Sequence, residues 1–489
     1  MLSLQSSSSP ISRLVLVLAC GVATIAVASI IASGDIQILE IALLAGVALA
    51  LSLVPIWWAI LIYFTYSAFS PLLKFAGSYS AIVHLGPDLI LAPILLHWFA
   101  TRAGHKGTGL AGLPLARLVG AFVVVACLMV FAPMTTPLVG LGGILTYVLP
   151  IVFFPLTFAE LRSHKRIYAF LMLTVALSSI GAILTIVFVI LGPQRVAAFG
   201  PAFAAVALNP GNIYFDANGR NTGWIPLAVV SDVIGYMIAL VLLVALLVGS
   251  GRLVRQTAII AVAAPLVILL AASLFVSGVR LTIAGAAVGI LVVALAGRRR
   301  AVLPTLIGFA LVVIALNIVG NLTNGAAVIR AATLLNPAQA FQSSGRTSLL
   351  QQILPLALSN PLGLGMGRIG PGSQAVIGAA GSSITTLGAD NMLIAIISEL
   401  GIAGGLLLSA IAVMFVVQGW RVYQRLSDPG LKSIALGCTA ASITLTASWL
   451  AGPTLMQAPG SIYFWALAGL CFALPHVEAR ERQRQQEQQ

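Results

Sequence analysis

Runs of about twenty apolar residues, closed by proline, glycine or clustered charge, recur along nearly the whole chain. About twenty such residues in a helix cross the hydrocarbon of a bilayer. Inside hydrocarbon a lone segment satisfies its own backbone polar groups only as a helix. The runs give fourteen candidate spans: 14–33, 37–53, 56–70, 87–101, 117–133, 139–159, 168–191, 225–249, 257–276, 281–297, 303–320, 400–420, 432–451 and 461–475. The long run from 37 to 70 is divided at Pro55, into two short helices or one kinked helix. Of 489 residues, 60% are hydrophobic and 8% charged, against about 25% charged in a soluble domain. So few charges cannot cover so much apolar surface, which excludes soluble globules, disulfide scaffolds and disordered chains. The expected fold is an all-α polytopic membrane protein with about 14 transmembrane helices and one large, partly helical periplasmic loop.

The net charge of +13 is a topology signal. With both termini cytoplasmic, eighteen of the 25 Lys and Arg residues fall on inner connections, among them Arg298, Arg299 and Arg300. The outer side keeps Lys74, Arg195, Arg220, Arg280, Arg330, Arg346 and Arg368. Every inner connection is basic, the positive-inside bias applied loop after loop, and no nucleic-acid partner is called for. The N-terminal apolar run is too long for a signal-peptide core and reads as an uncleaved first span. The four cysteines, Cys20, Cys127, Cys438 and Cys471, lie in apolar runs and read as small core residues. The expected organisation is a bundle over 1–320 with an outer loop at 193–224, a large outer loop at 321–392, further spans over 393–475, and a cytoplasmic tail at 476–489. The Gln-rich end of that tail, from Glu478, reads as disordered.

Nearly all chemistry outside the membrane must then sit in the two long outer loops. The large one is 72 residues long, with Arg330, Arg346, Arg368 and Asp390 as its charges. Within it Thr347 to Leu358 places Leu350, Ile353, Leu354 and Ala357 on one helical face. Glycines 363–367 follow no strand and read as a turn close to the membrane. Glu40 and Asp232 lie within spans, where an ionisable group is costly. Glu399, just ahead of Gly401, is expected at the membrane interface.

The loop also carries an ordered set of motifs: Gly345-Arg346, then a helix, then Asn360-Pro361-Leu362-Gly363-Leu364-Gly365-Met366-Gly367, then Asp390-Asn391, then Gly401-Ile402-Ala403-Gly404. This order and spacing resemble the O-antigen ligase and polymerase family of bacterial inner-membrane proteins, including Wzy-like polysaccharide polymerases. Arg220-Asn221-Thr222-Gly223 and Ser277-Gly278-Val279-Arg280 are weaker matches, and the second departs from the family spacing. The resemblance implies a glycosyltransferase of the inner membrane that works at its periplasmic face, with no cofactor; no metal is expected, since the outer segments hold neither a Cys/His cluster nor an Asp-x-Asp pair. Donor and acceptor would be polyprenyl-diphosphate-linked glycans, alongside membrane lipids, a chain-length regulator and a flippase. It implies catalytic roles for Asp390 and Arg346, and substrate-binding roles for Arg220, Arg280 and Asn391. Guanidinium suits a diphosphate because it is always charged and binds two oxygens at once.

Plainer readings stand beside these. An outer arginine can simply reach for lipid headgroups, and Asp390 stands where a helix N-cap is favoured. An O-antigen ligase acting on lipid A–core is the rival enzyme, although relatives of that kind carry His where this chain has Asp390. A flippase or transporter shares the composition, but such proteins are usually built from repeated halves and none is visible here. Reporter fusions after Arg166 and Arg300 are expected to score cytoplasmic, and fusions near Asn212 and Gln374 periplasmic. A cytoplasmic signal at Gln374 would remove the outer site.

Overall fold

The structure is a computed structural model that describes residues 54–76, 90–91, 93–100, 112–133, 135–198, 228–249, 257–277, 279–296, 358–369, 391–450, 454–456 and 459–489, with single positions at 46, 351, 355 and 452. It divides into two units, Met1–Ala111 and Gly112–Gln489. The candidate spans at 14–33 and 303–320, and all but one residue of 37–53, lie outside the described residues.

In the first unit helix α1, Ile56–Ala76, begins directly after Pro55. The Pro55 carbonyl accepts from Trp58 N at 2.8 Å and Ala59 N at 3.2 Å. Proline lacks an N–H to donate but serves as acceptor at a helix start. The run from 37 to 70 is therefore interrupted at that residue.

The second unit contains α2 (Ala116–Leu128), α3 (Pro137–Tyr147), α4 (Phe153–Glu160), α5 (His164–Ala197), α6 (Ala228–Gly249), α7 (Thr257–Val276), α8 (Arg280–Ala296), α9 (Met392–Arg425), α10 (Pro429–Ser448) and α11 (Gly460–Glu487). Five stretches among the described residues are long and apolar enough to cross a membrane: Val139–Glu160, His164–Val187, Met392–Arg425, Pro429–Ser448 and Gly460–Glu487. Large apolar side chains such as Phe131 (79% exposed) and Ile190 (76%) point outward, a surface suited to lipid and not to water. The expected span at 139–159 is one apolar stretch, Val139–Glu160, in which α3 and α4 are joined through a tighter helical turn, Leu149–Val152. Pro150 in that turn has no N–H for a continuous ladder.

Helices α6 and α10 form the centre and pack on each other. Helix α10 also meets α8, α9 and α11, and α6 also meets α5, α7 and α8. A helix buried on every side in an apolar surround needs small residues for close approach. Helix α10 supplies them, with Ser433, Gly437, Cys438, Thr439, Ala440, Ala441, Ser442 and Thr444 all buried. Most of the hydroxyls bond a carbonyl one turn back in their own helix, as Thr439 does to Ala435 at 2.8 Å and Ser442 to Cys438 at 3.0 Å. Others reach across: Thr444 to Gly285 O at 3.1 Å, Ser273 to Ala182 O at 3.0 Å, and Thr157 to Ala466 O at 3.1 Å. Cys438 and Cys471 are buried in this centre, whereas Cys127 is exposed on α2 and is not a core residue.

The tail is not disordered. Helix α11 runs on through it to Glu487, because Glu, Arg and Gln are good helix formers and the helix is already nucleated in the packed segment behind them. Glu478 Oε1 accepts from the backbone N–H groups of Ser427 and Asp428, each at 2.7 Å. Glu478 also pairs with Arg482 one turn on, at 3.0 Å. Helix α10 starts just beyond, with Asp428 as its N-cap, so the last helix completes the capping of α10. Glu478→Ala is expected to cost about 1 kcal/mol, the scale of a lost N-cap, read as a lower melting temperature in detergent. Glu487→Ala at the helix end should leave it unchanged.

Candidate functional site

The site is built around a break in α9. Gly401 has φ 71° and ψ −177° inside an otherwise regular helix. In an unbroken helix the carbonyls of Ser398 and Glu399 would accept from the N–H groups four residues on. The break removes those donors. Both carbonyls lie in a buried stretch, since Ser398 and Glu399 have no exposed surface, and a buried carbonyl left open is costly.

The segment 360–369 fills the gap. Leu364 N donates to Ser398 O at 2.7 Å, and Gly365 N donates to Glu399 O at 3.2 Å. In return Ile402 N, which an intact helix would have used on Ser398, donates to Pro361 O at 3.0 Å. The other edge of the segment holds the end of α2 and the start of α3. Met366 N donates to Met129 O at 3.1 Å, and Thr135 Oγ1 donates to Met366 O at 3.1 Å. Leu364, Met366 and Ile369 are buried.

Two glycines make this approach possible. A side chain on Gly363 would stand 2.5 Å from Glu399 O and from Gly401 N, and one on Gly401 would stand 2.5 Å from Pro361 O. Both have positive φ, at 92° and 71°, the region in which glycine is nearly free and other residues are strained. The glycine string contains turns, as expected, and it is held against α9 as a backbone clasp.

Glu399 sits just ahead of the break. It is fully buried, and the backbone N–H groups of Gly367, Arg368 and Ile369 converge on its carboxylate, with Ile369 donating to Oε1. Consecutive N–H groups of this kind form a concave anion site. Tyr147, at the end of α3, faces the other oxygen, yet neither Tyr147 Oη nor Glu399 Oε2 has a partner that meets hydrogen-bond geometry. Ser398 Oγ and Arg368 Nε beside them are also buried and unsatisfied. Of these, Tyr147 and Glu399 face each other. Sequence reading named Glu399 and Arg368 without giving either a part in the site, and did not single out Tyr147. The available signal was a carboxylate two residues ahead of a glycine that breaks an apolar helix.

Of the sequence-derived site residues, Arg220, Arg346 and Asp390 lie outside the described residues. So do Glu40 and most of Thr347–Leu358, of which Gln351, Pro355 and Leu358 are helical. Asp232 falls in α6. Asn391 is the N-cap of α9: its Oδ1 accepts from Leu393 N at 2.9 Å and Ile394 N at 3.2 Å. The cap expected of Asp390 therefore belongs to Asn391, the residue whose side chain reaches the open N–H groups. Asn391 Nδ2 donates to Leu450 O at 3.1 Å, and Met392 N to Trp449 O at 2.9 Å, so α9 starts against the turn that follows α10. Arg280 opens α8. The Leu281 side chain lies close to Gly452 of the same turn. Arg280 and Asn391 are thus carried by helix starts that meet at one turn. Among the described residues no group of three His, Cys, Asp or Glu is placed to hold a metal ion.

These features define an all-helical membrane protein with a glycine-clasped segment docked on a broken helix. Residues 265–409 match the family model described as O-Antigen ligase, a stretch that includes α8, the clasp and the break at Gly401. The match supports assignment of the chain to the O-antigen ligase and polymerase family, and with it a glycosyl-transferring role in polysaccharide polymerisation or ligation. No curated protein matches the chain.

Gly401→Ala and Gly363→Ala are each expected to destabilise the protein by about 1 to 3 kcal/mol through strain and lost docking. Gly120→Ala, on open space in α2, should instead stabilise by up to about 1 kcal/mol. Thermal unfolding in detergent reads the opposite signs.

Proposed function

We propose that the chain is an inner-membrane polysaccharide polymerase. It transfers a growing glycan from polyprenyl diphosphate to a hydroxyl of a lipid-linked repeat unit, at the periplasmic face. The observation that carries this reading is the clasp between 360 and 401, which lies inside the segment that matches the O-antigen ligase model and joins directly to the helix that starts at Asn391.

In the transfer the acceptor hydroxyl oxygen forms a bond to the anomeric carbon of the donor sugar. The bond from that carbon to the diphosphate oxygen breaks, and the electron pair leaves with the polyprenyl diphosphate. The hydroxyl proton passes to the Asp390 carboxylate. Arg346, Arg220 and Arg280 hold the diphosphate and stabilise the charge that grows on it, the usual form of electrostatic catalysis at a leaving group. The energy comes from the glycosyl-phosphate bond. The carboxylate in the slot that ligases fill with His favours polymerase, with ligation to lipid A–core as the second reading.

Arg346→Ala and Arg346→Lys are both expected to abolish long polymer, since Lys keeps the charge and loses the planar fork. A lost contact to the leaving group costs on the order of 3 kcal/mol, or ~100-fold in rate. Asp390→Asn should leave the protein inserted and nearly inactive. Gel ladders of the lipid-linked glycan, with protein level measured in parallel, check both. Single repeat units that accumulate on lipid indicate polymerase. Full-length chains that fail only to reach lipid A–core indicate ligase. Wild-type ladders from Arg346→Ala would make that residue a headgroup anchor.

A further inference from the structure

Arg368 stands at the end of the clasp, between Gly367 and Ile369. Its backbone is fixed on both sides: the N–H groups of residues 367, 368 and 369 converge on the Glu399 carboxylate, and Met366 and Ile369 are buried. The side chain is partly exposed, but its Nε is buried with no hydrogen-bond partner. Among the described residues no ion pair joins it to a carboxylate, and Glu399 Oε1 accepts from the Ile369 N–H and not from the guanidinium. Two other described arginines are neutralised by a carboxylate, Arg166 by Glu160 at 3.1 Å and Arg482 by Glu478 at 3.0 Å. A permanently charged fork with a buried, open donor is costly to maintain. An anion supplied from outside the protein would satisfy it.

We propose that Arg368 is a further binding residue for the phosphate groups of the lipid-linked substrate, and that Glu399 is the residue that positions it. The inference rests on the diphosphate-bearing substrate proposed above. Glu399 acts through the loop: it gathers three successive N–H groups, and that fixes the backbone from which the guanidinium projects. Phosphate is the fitting chemistry, since guanidinium matches its oxygens bidentately. A phospholipid headgroup offers the same chemistry, so the test separates the two.

The experiment uses the full chain in nanodiscs, made with and without phosphatidylglycerol. Binding of undecaprenyl diphosphate is measured for the wild type, Arg368→Ala, Glu399→Gln and the double variant, with melting temperatures taken alongside. Arg368→Ala is expected to weaken binding about tenfold or more in both lipid mixtures, with its melting temperature unchanged. Glu399→Gln keeps the shape and one acceptor oxygen, and should weaken binding by a similar factor. The double variant should bind no worse than Arg368→Ala alone, as expected when one residue acts through the other. Additive losses would overturn the positioning role. Undecaprenyl diphosphate binding unchanged in Arg368→Ala, with phosphatidylglycerol retention lowered, would make Arg368 a headgroup anchor and overturn the proposal. Should Glu399→Gln fail to fold, the Arg368→Ala comparison still decides. A wild type that binds no undecaprenyl diphosphate would overturn the proposed function itself, whereas equal binding by wild type and Arg368→Ala sinks only this inference.

Discussion

A peptide group buried away from water must find its partner within the protein, and the break at Gly401 creates a local shortage of partners. Two carbonyls lose the donors that a helix would have given them, and one N–H loses its acceptor. The segment 360–369 restores all three with its own backbone, through Leu364, Gly365 and Pro361. Backbone complements backbone here, and that explains why side chains must be absent at the contact. The same segment bonds to Met129 and Thr135 on its other edge. Helix α9, the end of α2 and the start of α3 are therefore tied through one short stretch of chain.

The central packing follows a different rule. Between α6, α8 and α10, glycines of α8 and α10 receive larger side chains of α6 such as Met237, Val241 and Leu242, and the hydroxyls of α10 mostly bond within their own helix. Such a seam is tight without needing a hydrophobic drive, which is weak when the alternative surround is equally apolar. Only a few hydroxyls cross to a neighbour, and those crossings join helices that lie far apart in sequence. The framework around the loop is thus rigid by close approach, while the loop is rigid by hydrogen bonds.

The helices were legible from apolar runs alone: α6, α7, α8 and α10 fall within a few residues of the expected spans. Boundaries failed where chemistry inside a run changed the path. The tighter turn at Leu149–Val152 changes the winding within 139–159 without ending the span, and Gly401 sat one residue into a span that looked continuous. The tail from Glu478 was misread because composition rich in charge and glutamine suits both a disordered segment and a helix held by neighbours. At the site, the motif order pointed to the right stretch of chain, yet the roles within it were obscure. Asp390 and Asn391 are equally good caps on paper, and only the fold selects Asn391. The setting of Glu399 was hidden because its partners are backbone N–H groups thirty or more residues earlier, which no side-chain pattern announces. Arg368 was counted only among the outer charges for the same reason, since its setting is defined by that carboxylate.

Helix α11 bears on how the bundle is assembled. It packs along α4, and Thr157 bonds to Ala466 across 309 residues of sequence. It also carries Glu478, which completes the start of α10. A nascent chain that has inserted every earlier helix therefore still has an open flank beside α4 and an α10 that frays at its first turn. Closure waits until translation has passed residue 478. Up to that moment the clasp and the broken helix can already be docked while the opposite end of the bundle is unfinished, so the two ends mature at different times.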